Sequence, residues 1–127
     1  MNKKTVQTSA APRAIGPYSQ AVQADGLIFV SGQIPLDPET GDLVSGTIED
    51  ETARVMDNIK AVLEAAGAGM DDVVKTTIYL TDLADFGRVN ETYARYFASQ
   101  PPARATVQVA ALPRGARVEI EAVATAK

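Results

Sequence analysis

Residues Asp72 to Thr81 alternate with a period of two. Val74, Thr76, Ile78 and Leu80 face one way, while Val73, Lys75, Thr77 and Tyr79 face the other, the signature of a strand. Both flanking segments carry a helical period instead. Before the strand, Thr52, Val55, Met56, Ile59, Val62, Leu63 and Ala66 recur at helical spacing, behind a Thr47/Asp50 capping pair and ahead of a stop at Gly67. After it, Asp82 and Asp85 start a second helix striped by Leu83, Phe86, Val89, Tyr93 and Phe97, which ends near Pro101-Pro102. A strand between two one-sided helices calls for a sheet with both helices on one face.

The remaining segments supply that sheet. Lys4 to Gln7 reads as a short strand, followed by a loop holding Pro12, Gly16 and Pro17. Tyr18 to Ala24 and Leu27 to Val30 flank Asp25-Gly26, a hairpin signal. The unbroken Leu27-Ile28-Phe29-Val30 run is expected to be covered on both faces. Thr106 to Ala110 and Arg117 to Ala124 form the last two strands, and the Leu112 to Gly115 connection predicts an antiparallel hairpin between them. The order is β-β-β-α-β-α-β-β, an α+β domain spanning residues 1–127 with a β-sheet and two helices on one face. If Val118, Ile120, Ala122 and Ala124 face the helices, then Arg117, Glu119, Glu121 and Val123 point away, with Thr77, Tyr79 and Gln108 expected on the same side. Such a mixed face is either solvated or an interface between subunits enclosing a polar site.

Composition narrows the chemistry. The chain has no His and no Cys, which removes Ser-His-Asp and Cys-His constellations and the usual zinc ligands. Acid–base work falls to Asp, Glu, Lys, Tyr or water. A net charge of −4 argues against nucleic acid as the main partner. No apolar run is long enough for a membrane span or a signal peptide, so a cytoplasmic protein is expected.

Several motifs have a bland reading beside a functional one. Gly41 to Thr47 imitates a phosphate loop but has Thr47 where lysine is required and no strand before it, and Asn90-Glu91-Thr92 is a glycosylation sequon buried in a predicted helix. Asn90 falls on the apolar stripe of that helix, where an amide needs a partner, either structural or in a pocket. Arg104 follows Pro101-Pro102-Ala103 at the beginning of a strand, and its planar fork suits a carboxylate, although most such arginines are solvated. Glu119 and Glu121 emerge on one face, either as exposed charge or, if desolvated, as a proton carrier. Ile15-Gly16-Pro17-Tyr18-Ser19-Gln20 is an ordinary turn or the wall of a small pocket.

Taken together, Gly16-Pro17-Tyr18-Ser19-Gln20-Ala21, Val30-Ser31-Gly32-Gln33-Ile34-Pro35, Val89-Asn90-Glu91-Thr92-Tyr93, Pro102-Ala103-Arg104-Ala105-Thr106 and Val118-Glu119-Ile120-Glu121-Ala122 resemble the RidA/YjgF/UK114 family, in order and across nearly the whole chain. The resemblance implies a chorismate-mutase-like α+β fold with a mixed sheet. It also implies a homotrimer with sites between subunits, and hydrolysis of 2-iminopropanoate and 2-iminobutanoate to 2-keto acids and ammonia without a cofactor or metal. By position, Arg104 would bind the substrate carboxylate and Glu119 would activate water or shuttle its proton. Gly32 and Thr106 would offer backbone groups to the imine and water, while Tyr18, Ser31 and Asn90 would shape the pocket. Thr106 stands where many members have cysteine, which puts thiol-dependent switching of chaperone activity in doubt. Two rivals to the deaminase are an RNA-cleaving translation inhibitor and a module that binds small carboxylates or unfolded clients without turnover.

Overall fold

The computed structural model describes residues 2–127. Among the described residues, six strands and two α-helices follow in order: β1 (Lys4–Val6), β2 (Ala21–Ala24), β3 (Leu27–Gln33), α1 (Ile48–Ala65), β4 (Val73–Leu80), α2 (Phe86–Ala94), β5 (Ala103–Gln108) and β6 (Val118–Thr125). They form one six-stranded mixed sheet in the order β1-β2-β3-β6-β4-β5, with β4 and β5 parallel and every other pair antiparallel. No helix among the described residues is long and apolar enough to cross a membrane.

Local chemistry fixes α1 at both ends. The Thr47 hydroxyl accepts from the Asp50 amide at 3.1 Å, and the Asp50 carboxylate accepts from the Thr47 amide at 3.3 Å, the reciprocal cap expected from the sequence. At the other end, Gly67 takes φ +80°, and the amides of Ala68 and Gly67 donate to the carbonyls of Leu63 and Glu64, closing the helix with a left-handed residue that glycine adopts without strain. Between the caps, Ile48, Val55, Met56, Ile59, Val62 and Leu63 are fully buried, each stabilising the fold by roughly 1.5–3 kcal/mol. They pack on Ile28 and Val30 of β3, Ile78 and Leu80 of β4, and the Val118-Ile120-Ala122-Ala124 stripe of β6.

The structure corrects the expected pairing of the last strands. β5 begins at Ala103 rather than Thr106 and lies parallel to β4, while β6 runs antiparallel between β3 and β4. The β4-α2-β5 crossover is the reason, since a strand–helix–strand unit returns its second strand alongside the first. β6, whose inward stripe is wholly apolar, takes the centre. Gln108 consequently pairs with Leu80 on the helix side, not on the open face, and its Oε1 accepts from the Leu83 amide at 2.9 Å.

Five smaller differences have local causes. An irregularity in register between Val73 and Lys75 turns Val73 into the core and leaves Val74 exposed, the reverse of strict alternation. The expected strand from Tyr18 starts only at Ala21, because Ser19 and Gln20 are engaged by loop contacts. Arg117 leaves the open face for the N-terminus of α1, where its Nε donates to the buried Glu51 carboxylate at 2.7 Å. Phe29 is 46% exposed, because no helix covers the far side of β3. α2 stops at Ala94, leaving Phe97 beyond its end with its ring centroid 4.9 Å from that of Tyr93.

Candidate active site

The seven residues singled out in the sequence fall into two groups on opposite faces of the sheet. Arg104 pairs with Thr76 and Glu119 with Tyr79 in the register with β4. Thr76 is buried toward the helices, whereas Tyr79 lies on the open side. Three residues along β4 and two strand spacings across put the Cα atoms of Arg104 and Glu119 about 14 Å apart. Their side chains diverge from there, since an odd step along a strand reverses the face. Within one chain they cannot close on a single small molecule.

The first group lies on the helix side of the edge strand β5. Arg104 Nη1 donates to Asn90 Oδ1 at 2.6 Å, and its Cζ lies 5.1 Å from the Tyr93 ring centroid and 5.5 Å from that of Phe86. Phe86, Asn90 and Tyr93 follow one another at i, i+4 and i+7 and so share one face of α2. Tyr93 is itself tied to β4 through a 2.6 Å hydrogen bond between its hydroxyl and Thr76 Oγ1. Two residues beyond Arg104, the Thr106 hydroxyl oxygen is buried without a hydrogen-bond partner among the described residues. Asn90 thus resolves the puzzle it posed in the sequence: its amide orients the arginine.

The second group gathers where β3 and β6 meet. Ser31 Oγ donates to the Ser19 carbonyl at 2.5 Å, and the Ser31 amide donates to the Gln20 carbonyl at 3.0 Å. These bonds clasp the Tyr18-Ser19 segment to β3, and Tyr18 itself is 54% exposed. Gln20 holds the loop beneath, its side-chain amide donating to the carbonyls of Thr8 and Pro12 at 3.0 and 2.8 Å. Gly32 lies against Glu119: a Cβ there would meet Glu119 Oε2, so a larger residue would displace the carboxylate from this backbone. Burial first, and the neighbouring Glu121 second, push the Glu119 carboxyl above the ordinary glutamate range.

Sequence reasoning passed over Phe86 and Tyr93 as site residues because their spacing reads equally well as core. The available signal was Asn90 on the same stripe. A cavity of about 660 Å³ is bounded by residues 5–9, 11–15, 18–20, 36 and 38–41. It includes Tyr18 but neither Arg104 nor Glu119.

Comparison with known proteins finds close relatives over nearly the whole length. The sequence profile of the Endoribonuclease L-PSP family matches residues 8–126. Protein DfrA of Myxococcus xanthus is 59% identical over 98% of this chain and 96% of its own. The 2-iminobutanoate/2-iminopropanoate deaminase of Mus musculus is 55% identical over 96% of this chain and 90% of its own. Among solved structures, a Rid-family protein from Yersinia pestis is 51% identical and superposes with a TM-score of 0.96, covering 98% of this chain and 99% of its own.

Proposed function

The chain belongs to the Endoribonuclease L-PSP family, and we propose that within it this protein is a hydrolytic deaminase of 2-imino acids such as 2-iminobutanoate and 2-iminopropanoate. The observation that carries this reading is Arg104. Its guanidinium has one donor on Asn90 and two aromatic rings beneath it, leaving further N–H donors to fork onto a carboxylate. The deaminase named for the mouse relative acts on substrates that carry one.

The imine carbon is electrophilic already, so hydrolysis asks for position and a proton carrier. Water adds to the C=N carbon and gives up a proton to the Glu119 carboxylate. Glu119 returns that proton to the nitrogen, then takes the carbinolamine hydroxyl proton and passes it to the amino group as the C–N bond breaks, leaving a 2-keto acid and ammonia. The upward shift of the Glu119 carboxyl, from burial and then from Glu121, suits a group that must both accept and release a proton. Backbone groups at Gly32 and Thr106 hold the imine and the water, and Tyr18 and Ser31 wall the pocket. No oxidation state changes, and the reaction requires no group carrier.

The half-sites are assigned to different protomers. What supports this is their separation on opposite faces of one sheet and the open-face apolar residues Phe29 and Val107, both exposed in the single chain. Contact between two different surfaces is heterologous and generates a ring where the rotation closes. The family resemblance points to a ring of three.

The test generates 2-iminobutanoate in situ and follows its decay. Arg104→Ala is expected to slow turnover about 100-fold, the scale of losing one charge-assisted anchor. Equal decay with both proteins would remove Arg104 from the mechanism. The ribonuclease reading has little physical support, since a net charge of −4 without histidine gives RNA neither attraction nor the usual general base.

A further inference from the structure

We propose that Phe86 and Tyr93 are positioning residues of the carboxylate subsite: their rings fix the plane of the Arg104 guanidinium so that its free edge is set before substrate arrives. The proposal rests on the reading of Arg104 as the carboxylate anchor and adds two residues to it. Phe86 is a large aromatic left 37% exposed at the first residue of α2, outside the core cluster. Burial in the core therefore does not account for it, but its distance of 5.5 Å to the guanidinium carbon does.

The arrangement is rigid where it needs to be. Arg104 sits on β5, an edge strand with no neighbour on its outer side among the described residues and side chains mostly exposed. A long arginine there would wander between rotamers and lose that freedom on binding. Three contacts from one helix face remove it beforehand: Phe86 and Tyr93 beneath the guanidinium, and Asn90 on Nη1. The helix face is in turn locked to the sheet, because the Tyr93 hydroxyl meets the buried Thr76 hydroxyl at 2.6 Å. Planarity is what the rings select for, so lysine cannot substitute in this cage.

The experiment is a double-mutant cycle on the full chain, using 2-iminobutanoate generated in situ and reading KM and kcat separately. Phe86→Leu should raise KM about fivefold, the loss of one aromatic contact to a cation, with kcat unchanged within about twofold. Phe86→Tyr should restore KM. In an Arg104→Lys background, which raises KM by itself, Phe86→Leu should add less than about a twofold change. Tyr93→Phe, which keeps the ring and removes its tether to Thr76, should raise KM by about twofold. Melting curves are recorded for each variant. A KM for Phe86→Leu equal to that of the unaltered protein would overturn the proposal, as would an equal effect in the Arg104 and Lys backgrounds. If Arg104→Lys also leaves KM unmoved, the reading of Arg104 itself falls. If Arg104→Lys raises KM and Phe86→Leu does not, only the cage falls.

Discussion

Glu119 occupies a costly place for a carboxylate: half-buried, against the backbone of Gly32, and on the same face as Glu121. Its pKa is raised by burial and then by Glu121, and the protonated form cannot accept a proton from water. Turnover should therefore fall as pH drops through that raised value. Glu121→Gln removes one of the two causes, making ionisation of Glu119 easier, so the acid limb of the pH–rate profile should move to lower pH. A limb that stays in place would mean that Glu119 is not the group titrating. At this scale the sequence was informative wherever a residue violated its surroundings. Asn90 on an apolar stripe signalled a bonded amide, and it bonds Arg104. Phe86 and Tyr93 violated nothing, and periodicity alone cannot separate a ring beneath a guanidinium from a ring in the core. The roles of Arg104 and Glu119 came from resemblance, since an arginine and a glutamate on strands are most often solvated.

α1 does more than cover the sheet. Its Asn58 is fully buried, donating to the carbonyls of Leu36 at 3.0 Å and Ile34 at 3.5 Å and accepting from Arg54 Nε at 3.1 Å. These bonds pin the chain immediately after Ser31-Gly32-Gln33 to the helix, so the backbone beside Glu119 inherits its position from α1. Asn58→Ala leaves buried carbonyls without donors and should cost about 2 kcal/mol in chemical denaturation. A loss below about 0.5 kcal/mol, the scale of an ordinary surface substitution, would show that water replaces the amide. Both helices were legible because their signals are local: a reciprocal cap at Thr47, a glycine stop at Gly67 and stripes of apolar residues. The Asp25-Gly26 hairpin was legible for the same reason, with both residues at positive φ. The pairing of β5 with β4 was not, because nothing in the short Leu112 to Gly115 segment records that β5 has already returned beside β4 through α2. Strand partners are chosen by packing at long range, and a turn-like connection is compatible with several choices.

At the scale of the molecule, the sheet has one face closed by α1 and α2 and one face left open, carrying Phe29, Tyr79, Val107, Glu119 and Glu121. A mixed face of this kind was expected from the alternation in β6. What the sequence did not reveal is that Arg104 belongs to the other side, because its face depends on the register of a parallel pairing. That division makes the central claim testable: a complete site takes Arg104 from one protomer and Glu119 from another. The direct measurement mixes Arg104→Ala and Glu119→Gln proteins, each nearly inactive alone, after dissociation and reassembly at equal amounts. With sites shared between neighbours in a ring, random mixing leaves about one site in four with both groups intact. Imine hydrolysis should therefore recover to about a quarter of the rate of the unaltered protein. A mixture no more active than its two components would contradict a site shared between protomers.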